Sequence, residues 1–332
     1  MSGTILVTGA AGFLGSHLVE ALLSRGLAPV GLDNFDPFYD RGAKDRNVRS
    51  CVEAARRAGR TYEIIDADIT DAAGVRAAFT RAKPHGVIHL AAKAGVRPSL
   101  ADPAGYARTN VLGTSVLLEA ARAERCRRFV LASSSSVYGN NAQTPFAEDD
   151  DVSRPISPYA ATKRAAELIA YTHWSLTKMP TACLRFFTVF GPRQRPDLAI
   201  ATFMARIARA EPIQVFGDGS MSRDFTYVDD IVAGIVSAYD TIDAHGYRVW
   251  NLGSDRPVRV DELVGAIARI TGREPRIERR PVQPGDVART WADLTRSRAE
   301  LAYAPRMPLD EGLARQWAWA RSVNEVNEPR DA

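Results

Sequence analysis

A glycine-rich segment near the N-terminus restricts the fold of this chain more than any other feature. The segment Thr8–Gly15 directly follows a short apolar run, Thr4–Thr8, and its last glycine opens a stretch with helical character. Glycines in such a segment allow a tight turn and let the backbone approach a pyrophosphate closely. The free N–H groups and the positive dipole end of the following helix then favour the phosphates. The segment therefore predicts a strand–turn–helix unit that binds a dinucleotide. The predicted contacts are Gly9, Gly12, Phe13, Leu14 and Gly15.

Acidic residues at the ends of the next two predicted strands support this interpretation. Asp33 lies 18 residues beyond Gly15, where a carboxylate can accept hydrogen bonds from the ribose hydroxyls of a dinucleotide. A carboxylate at this point repels a 2′-phosphate, so the sequence favours NAD over NADP. At the end of the third predicted strand, Asp68 and Ile69 could frame the adenine.

Apolar runs rich in β-branched residues alternate with helical stretches through the first 190 residues. The predicted strands are Thr4–Thr8, Pro29–Asp33, Tyr62–Ala67, Val87–Ala91, Phe129–Ser133 and Thr181–Phe187. The predicted helices are Gly15–Leu23, Ala72–Ala82, Val111–Ala123 and Tyr159–Leu176. Continuous apolar strands separated by helices indicate an α/β fold, a Rossmann-type doubly wound parallel sheet with right-handed crossovers.

The regular alternation of predicted strands and helices ends after Gly191, where prolines interrupt shorter strands and helices. We expect residues 1–190 to form an NAD-binding domain that also carries the catalytic groups. Residues 191–323 are expected to form a smaller C-terminal α+β domain that mainly binds the substrate. The polar tail, residues 324–332, is expected to fray.

Composition excludes several classes of protein. With 45% hydrophobic and 25% charged residues, the 332-residue chain has neither the composition of a disordered protein nor that of a low-complexity scaffold. We expect no secretory signal and no membrane-spanning helix, since no apolar run approaches ~18–20 residues. Three scattered cysteines favour a reduced, cytoplasmic compartment and form no metal site.

Arginine dominates the basic residues. The 43 basic residues include only five lysines, so 38 are arginines, while the net charge is +4. They are dispersed among acids rather than collected in a stripe, which argues against nucleic-acid binding. The excess of arginine reflects either a compositional bias or a need for bidentate recognition of anions, and composition alone does not decide between the two.

A second group of motifs supplies groups for proton transfer. Ser133–Gly139 closes the fifth predicted strand, and Tyr159 and Lys163 share one face of a later helix, four positions apart. A phenol with a pKa of ~10 is a weak base at neutral pH. A neighbouring ammonium and the positive nicotinamide of NAD⁺ would lower the pKa of Tyr159, and Lys163 could also hold the nicotinamide ribose. The predicted catalytic residues are Tyr159, Lys163, Ser134, Ser135 and Ser136.

With these motifs, the chain resembles the extended short-chain dehydrogenases/reductases and, among them, the UDP-glucuronate 4-epimerases. The matching segments are Thr8–Gly15, Asp33–Phe35, Asp68–Ile69, His89–Ala92, Asn110–Thr114, Ser133–Gly139, Tyr159–Lys163, Leu184–Gly191, Arg223–Tyr227 and Gln283–Asp286, which extend over nearly the whole length. The resemblance implies further contacts to the cofactor by Asn34, Leu90, Ala91, Ala92, Lys93 and Asn110.

The resemblance also implies a reaction. Tyr159 would take the proton of a sugar 4-hydroxyl while the C4 hydride passes to NAD⁺, which stays bound. The 4-keto sugar would then rotate, and the hydride would return to its other face. Lys93 departs from the family pattern, because relatives tend to carry glutamine there. It could contact a phosphate or the substrate, or change the pKa of Tyr159, and its role stays open.

The serines after the fifth predicted strand discriminate among outcomes of this chemistry. Similar enzymes that dehydrate nucleotide sugars carry an Asp–Glu pair at the positions of Ser135 and Ser136. Relatives that decarboxylate UDP-glucuronate usually carry a glutamate at the position of Ser136. A hydroxyl can hydrogen-bond the 4-oxygen but is not a carboxylate base, so the sequence favours epimerisation.

A glucuronate substrate would need an anchor for its carboxylate, because its 4-keto form is a β-keto acid that readily loses carbon dioxide. Thr188 and Arg195 follow the sixth predicted strand and could hold this carboxylate, although Arg195 could also be a solvated loop residue. Arg223 resembles the diphosphate-binding arginine of the family. The remaining predicted contacts to the UDP-sugar are Val215, Phe216, Gln283 and Asp286.

Several alternatives remain at this level. A UDP-glucose/UDP-galactose 4-epimerase would need no arginine near the sugar, and a UDP-glucuronate decarboxylase would share most motifs. A non-catalytic dinucleotide-sensing protein would have no reason to keep Tyr159, Lys163 and Ser134 together. The resemblance also implies a homodimer, with the helices Val111–Ala123 and Tyr159–Leu176 at its interface.

Overall fold

The computed structural model describes residues 3–283 and 285–327, of which residues 324–327 are described by their backbone alone. The strands are β1 (Thr4–Thr8), β2 (Ala28–Asp33), β3 (Glu63–Asp66), β4 (Gly86–His89), β5 (Arg128–Ser134), β6 (Thr181–Phe186), β7 (Thr188–Phe190), β8 (Ile213–Phe216), β9 (Ser222–Tyr227), β10 (Tyr247–Leu252), β11 (Pro257–Arg259) and β12 (Ile277–Arg280). The α-helices are α1 (Phe13–Ser24), α2 (Arg41–Arg57), α3 (Ala72–Ala82), α4 (Val96–Ala101), α5 (Pro103–Ala107), α6 (Gly113–Ala123), α7 (Pro158–Thr177), α8 (Ala199–Ala208), α9 (Val228–Thr241), α10 (Val260–Thr271), α11 (Thr295–Leu301) and α12 (Leu309–Asn327). A π-helical turn, Arg108–Leu112, precedes α6, and 3₁₀ turns cover Ser135–Tyr138 and Ile242–Ala244.

A seven-stranded sheet forms the centre of the molecule, in the order β10-β6-β5-β4-β1-β2-β3. Its neighbouring strands are all paired in parallel. The direction of winding reverses between β1 and β4, and in such sheets a crevice for ligands opens at the carboxyl ends of the strands at this point. The predicted doubly wound sheet is confirmed, and β10 extends it by a strand from beyond residue 190.

Continuous apolar strands form this sheet because both of its faces are covered. In β1, Ile5 and Val7 belong to the apolar core on one side of the sheet, and Leu6 belongs to the core on the other side. In β5, Val130 lies in the first core, and its neighbours on either side lie in the second. Successive side chains of a strand point to opposite faces of the sheet. A sheet with both faces covered therefore needs apolar residues at successive positions.

Helix α2 is the largest element of the N-terminal half that the sequence did not predict. Its buried residues are Lys44, Asn47, Cys51 and Ala55. They have helical spacing, but two of the four are polar, so the segment shows no apolar periodicity. The helix is instead started by the side chain of Asp40, which accepts a hydrogen bond from the backbone N–H of Ala43 at 3.1 Å.

The chain after β6 forms a smaller α+β part but does not stay in it. A three-stranded sheet (β11-β9-β7) and a two-stranded sheet (β12-β8) pack with α8, α10 and α12. By contrast, β10 pairs with β6 of the large sheet, and α9 and α11 pack against strands of that sheet. A division into domains at residue 190 stays a prediction. The tail predicted from residue 324 begins within α12, and residues 328–332 lie outside the described residues.

Within residues 3–283 and 285–327, no helix is long and apolar enough to span a bilayer. Cys51, Cys126 and Cys183 are free and buried. Burial raises the pKa of each thiol to about 12, so all three remain protonated and unreactive at neutral pH.

Candidate active site

A cavity of about 630 Å³ lies at the carboxyl ends of the large sheet and extends to the smaller part of the molecule. Most of the predicted site residues line it. They are Gly9, Gly12, Phe13, Leu14, Gly15, Asp33, Asn34, Ile69, Leu90, Ala91, Ala92, Lys93, Ser134, Ser135, Ser136, Tyr159, Lys163, Thr188, Arg195, Arg223 and Asp286. The predicted residues outside this lining are Asp68, Asn110, Val215, Phe216 and Gln283.

The first turn at the cavity contains glycine because a larger residue would not fit. Gly9 has a φ of +69°, and a Cβ atom on it would lie 2.8 Å from the backbone nitrogen of Ala91. A Cβ atom on Gly15 would lie 2.1 Å from the carbonyl oxygen of Gly9. Gly12 precedes α1 and provides no side-chain cap, which leaves the first N–H groups of the helix available to an anion. The turn fits the pyrophosphate of a dinucleotide.

Asp33 ends β2 at the edge of the same cavity and is held by the backbone. The N–H of Ala11 donates to its Oδ2 at 3.0 Å, and the N–H of Phe35 donates to its Oδ1 at 2.8 Å. Burial raises the pKa of Asp33, while these hydrogen bonds and the charge of Lys44 oppose the shift. Each carboxylate oxygen keeps a lone pair for one further donor, such as a ribose hydroxyl.

Asp68 lies outside the lining of the cavity but is hydrogen-bonded to Asn34, which belongs to it. Its Oδ2 accepts a hydrogen bond from Asn34 Nδ2 at 2.8 Å, and its Oδ1 accepts bonds from the backbone N–H and the hydroxyl of Thr70, both at 2.7 Å. Asp68 thereby holds Asn34 and the turn after β3, whereas Ile69 itself lines the cavity. Direct contact between Asp68 and a cofactor stays a prediction.

We expect Asp33→Ser to lower the affinity for NAD about 10–100-fold, because a hydrogen bond to a charged group contributes roughly 1.5–3 kcal/mol. The affinity for NADP should rise relative to that for NAD, since the charge that repels a 2′-phosphate is gone. Fluorescence titration of cofactor-free protein measures both. Asp66→Asn is the matched control, because Asp66 pairs with Asp33 in register but is exposed and outside the cavity. Unchanged NAD affinity in Asp33→Ser would contradict this role.

Ser134 and Tyr159 meet inside the cavity. β5 ends at Ser134, and α7 begins after Ser157, whose hydroxyl accepts a hydrogen bond from the backbone N–H of Ala160 at 3.1 Å. This cap places Tyr159 in the first turn of α7, where its side chain lines the cavity together with that of Ser134. Burial raises the pKa of Tyr159, while the interaction with the Ser134 side chain and the charge of Arg195 oppose the shift.

Lys163 lies one turn after Tyr159 and is almost completely buried. Its Nζ donates a hydrogen bond to the carbonyl oxygen of Ala132, in β5, at 2.8 Å. Burial lowers the pKa of Lys163 to about 8, and the charge of Glu167 opposes the shift. An ammonium one helical turn from Tyr159 would favour the phenolate form of that tyrosine.

A buried ionic network lies behind these catalytic candidates. Glu167, on the next turn of α7, accepts hydrogen bonds from Ser133 Oγ at 2.6 Å and from Arg185 Nε and Nη2 at 2.9 and 3.0 Å. Arg164 Nη1 adds a bond at 2.9 Å. The network ties α7 to β5 and β6, so it fixes the helix that carries Tyr159.

Ser135 and Ser136 form the turn after β5 and present hydroxyl groups to the cavity. The backbone N–H of Ser136 donates to Ser134 Oγ at 3.1 Å, which orients that hydroxyl. The turn therefore offers hydrogen-bonding groups without a carboxylate.

Asn110 and Lys93 are joined through the backbone. Asn110 Oδ1 accepts from the N–H of Lys93 and its Nδ2 donates to the carbonyl of Lys93, both at 2.9 Å. A further bond, at 3.0 Å, joins Asn110 Nδ2 to Thr162 Oγ1. The Lys93 ammonium donates to Asp102 Oδ2 at 2.8 Å, so its charge is paired at the margin of the cavity. Asn110 thus orients the loop after β4, and its contact with a cofactor stays a prediction.

Thr188 and Arg195 line the cavity beside Tyr159. Arg195 forms a two-point pair with Asp197, in which Nε donates to Oδ1 at 2.9 Å and Nη2 donates to Oδ2 at 2.6 Å. Sequence reasoning missed Asp197, although its position two residues after Arg195 was a signal. It also missed Tyr106, whose ring packs edge-on against that of Tyr159 with centroids 6.2 Å apart.

Arg223 and Asp286 line another part of the cavity, and Arg97, which the sequence did not single out, lies outside the lining but pairs with Asp286. Arg97 Nη2 donates to Asp286 Oδ2 at 3.0 Å, and its guanidinium carbon lies 3.9 Å from the ring centroid of Phe216. Burial lowers the pKa of Arg223, an effect that Asp286 opposes and Arg97 reinforces. Two arginines and one aspartate leave a net positive charge, which suits a diphosphate.

Three predicted substrate contacts, Val215, Phe216 and Gln283, lie away from the lining. Val215 is buried in the core, and Gln283 Nε2 donates to the carbonyl oxygen of Pro281 at 3.1 Å. Their contact with a substrate stays a prediction, as does that of Phe216. In the described ranges, no group of three or more His, Cys, Asp or Glu side chains is arranged to hold a metal ion.

Comparisons with known proteins agree with this geometry. Residues 5–253 match the NAD dependent epimerase/dehydratase family, and the chain belongs to that family. It is 38% identical over 331 residues to a probable UDP-glucuronate 4-epimerase of Rhizobium meliloti, covering 95% of this chain and 96% of the relative. It is 37% identical over 325 residues to a UDP-glucuronate 4-epimerase of Thermodesulfobacterium geofontis, covering 98% of each chain.

Solved structures show the same similarity. The crystal structure of a UDP-glucuronic acid 4-epimerase from Bacillus cereus, in complex with UDP-glucuronic acid and NAD, matches with a TM-score of 0.89 and 34% identity. The match covers 96% of this chain and 99% of that chain. The expected resemblance and the Rossmann-type fold are both confirmed.

Proposed function

We propose that the protein is an NAD-dependent UDP-glucuronate 4-epimerase, an isomerase that interconverts UDP-glucuronate and UDP-galacturonate through a 4-keto sugar. The observation that carries the proposal is that Tyr159, Ser134 and Arg195 line one cavity. The names of the two curated relatives and of the B. cereus enzyme support the substrate.

The residues of the first turn and of β2 fit the cofactor. The N-terminal end of α1, with Gly9 and Gly12 before it and Gly15 in its first turn, would hold the pyrophosphate. Asp33 would accept hydrogen bonds from the hydroxyls of the adenosine ribose. Lys163 would hold the nicotinamide ribose. When bound, NAD supplies the acceptor and the donor of the C4 hydride.

Tyr159 moves the proton of the reaction. As a phenolate, its Oη takes the proton of the sugar 4-hydroxyl, while Ser134 Oγ hydrogen-bonds to the same oxygen. Because burial alone would keep the phenol protonated, opposing interactions are needed, and the charge of Arg195 supplies one of them. The ammonium of Lys163, one helical turn after Tyr159, would add to this stabilisation of the phenolate. When the sugar is reduced again on its other face, Tyr159 returns the proton to the 4-oxygen.

Ser134, Ser135 and Ser136 restrict the reaction to C4. Elimination of water from the sugar needs an additional acid and base, and these three side chains supply hydroxyls instead of carboxylates. Arg223, which lines the cavity, would bind the diphosphate through charge-assisted hydrogen bonds, and the charge of nearby Arg97 would add to the attraction. This leaves the sugar at the Tyr159 part of the cavity.

A specific observation favours a second candidate, the epimerisation of UDP-glucose and UDP-galactose. Asp197 already neutralises the charge of Arg195, so a sugar without a carboxylate could also occupy this part of the cavity. The structure of a UDP-glucose 4-epimerase from Thermotoga maritima with UDP-glucose, which matches with a TM-score of 0.85 and 31% identity, supports this alternative.

Incubation of the purified protein with UDP-glucuronate and with UDP-glucose, followed by chromatographic analysis of the products, tests the proposal. We expect UDP-galacturonate as the main product and much slower turnover of UDP-glucose. Predominant UDP-pentose with release of carbon dioxide would identify a decarboxylase instead, and turnover confined to UDP-glucose would identify the second candidate. The Tyr159→Phe variant is the catalytic control.

A homodimer and a cytoplasmic location complete the proposal. Leu112 in the π-helical turn and Leu168, Tyr171 and Leu176 on α7 are exposed, which supports an interface on this side of the molecule. Light scattering on the purified protein should give twice the chain mass of 36.2 kDa.

Free thiols at all three cysteines are compatible with a reducing compartment.

A further inference from the structure

Arg195 is held by its own chain through most of its hydrogen-bond donors. A guanidinium carries five N–H groups. The Nε hydrogen and one Nη2 hydrogen donate to the carboxylate of Asp197, at 2.9 and 2.6 Å, and Nη2 also donates to the carbonyl oxygen of Ala94 at 3.0 Å. Among the described residues, no group accepts a hydrogen bond from Nη1, so Nη1 is the part of the guanidinium left to a ligand.

We propose that Asp197 is a positioning residue: by occupying the Nε–Nη2 edge of Arg195, it restricts the sugar carboxylate to Nη1 and so protects the 4-keto intermediate from decarboxylation. This inference rests on the proposed function. It refines the expectation that Arg195 holds the sugar carboxylate, because Asp197 already occupies one complete bidentate edge of the guanidinium.

The chemistry of the intermediate explains why orientation matters. In the 4-keto uronate, the carboxylate is attached to C5, next to the C4 carbonyl. When the C5–C6 bond aligns with the carbonyl π-system, its electron pair passes into a C4–C5 enolate and carbon dioxide leaves. C5 then takes a proton, which gives a UDP-4-keto-pentose. A carboxylate held out of this alignment is retained until the sugar is reduced.

The surroundings of Arg195 make it a fixed anchor. Its guanidinium carbon lies 5.0 Å from the ring centroid of Phe38, and the carbonyl oxygen of Ala94 that accepts from it also accepts from the Tyr106 hydroxyl at 3.1 Å. Tyr106 in turn packs against the ring of Tyr159. The position of Arg195 is therefore set relative to the catalytic base, and Asp197 provides two of the hydrogen bonds that set it.

The ratio of decarboxylated to epimerised product tests the inference. Wild type and Asp197→Asn are each incubated with NAD and UDP-glucuronate labelled with ¹³C at the carboxyl carbon, and labelled carbon dioxide, UDP-pentose and UDP-galacturonate are measured. We expect Asp197→Asn to raise this ratio about tenfold or more, because the freed guanidinium lets the carboxylate turn. Asp197→Glu, which restores a carboxylate, should bring the ratio back toward that of wild type.

The chain contains a matched control. Arg259 and Asp261 form a pair with the same spacing in the sequence and the same distances, 2.9 and 2.6 Å, but outside the cavity. Asp261→Asn should leave the product ratio unchanged. Arg195→Lys keeps a charge but forms no two-point pair with Asp197, so it should raise the ratio even if Asp197→Asn does not fold.

The outcomes distinguish a failure of the proposed function from a failure of the role assigned to Asp197. A wild-type protein that forms no UDP-galacturonate overturns the proposed function itself. If the wild type epimerises and Asp197→Asn slows both products equally, with an unchanged ratio, Asp197 has only a structural role and the inference is wrong. A raised ratio that Asp197→Glu restores supports it.

Discussion

Tyr159→Phe is expected to lower kcat about 10²–10⁴-fold, the usual contribution of a positioned group that transfers a proton. Phenylalanine keeps the ring that packs against Tyr106 and removes only the hydroxyl that meets Ser134. The loss should therefore lie in the chemical step, with substrate binding nearly unchanged. Initial rates with UDP-glucuronate and titration of NAD and UDP-glucuronate binding measure the two effects separately.

Tyr171→Phe is the matched control for this variant. Tyr171 belongs to the same helix but is exposed and lies outside the cavity, so its loss of a hydroxyl should leave kcat within about twofold. Full activity in Tyr159→Phe would refute the catalytic role of the tyrosine. It would favour a protein that senses a dinucleotide without turning over a sugar.

Glu167→Ala is expected to lower the free energy of unfolding by about 3–5 kcal/mol, because it leaves a buried charge without its partner. Glu167 is 0% exposed and Arg185 is 2% exposed, and the pair joins α7 to β6. Urea denaturation followed by circular dichroism, at one fixed protein concentration, measures the change. A loss below about 1 kcal/mol would mean that Arg185 finds other partners or water.

The contribution of Glu167 to the free energy of unfolding should fall as the pH is lowered. Although burial alone would raise the pKa of Glu167, the hydrogen bonds and charge of Arg185 hold it below its ordinary value of 4.5. A carboxyl whose folded pKa is depressed contributes stability above its unfolded pKa and loses it as the pH falls through its folded pKa. The difference between wild type and Glu167→Ala should therefore shrink below pH 4.5. Glu119→Ala is the control, since Glu119 forms an exposed i,i+3 pair with Arg122 on α6.

The elements around the dinucleotide turn could be predicted because local rules determine them. The run Thr4–Thr8, the glycines after it and the acid at the end of β2 each have a conformational or chemical reason that applies within a few residues. The same holds for Tyr159 and Lys163, which a single helix brings together. For these residues, the sequence already contains the spatial arrangement.

Other parts of the site depend on contacts between distant segments. Arg97 meets Asp286, almost 190 residues away, and Arg195 meets Ala94 across about 100 residues. No local pattern distinguishes Arg97 among the 38 arginines, and the position of Arg195 after the sixth predicted strand gave no sign of its contact with Ala94. Helix α2 escaped prediction for a different reason, since it buries Lys44 and Asn47 against the first turn and shows no apolar face.

The path of the chain limits how the molecule can release a bound dinucleotide. After β6 the chain leaves the large sheet, returns through α9 and β10, leaves again for β11, α10 and β12, and returns once more in α11. Two bodies joined by so many crossings do not separate about a single hinge. Segments 34–40 and 191–198 both contribute residues to the lining of the cavity, so release of the dinucleotide would depend on local movement of such segments. We therefore expect the dinucleotide to remain through many turnovers, as a resident group and not as a diffusing co-substrate.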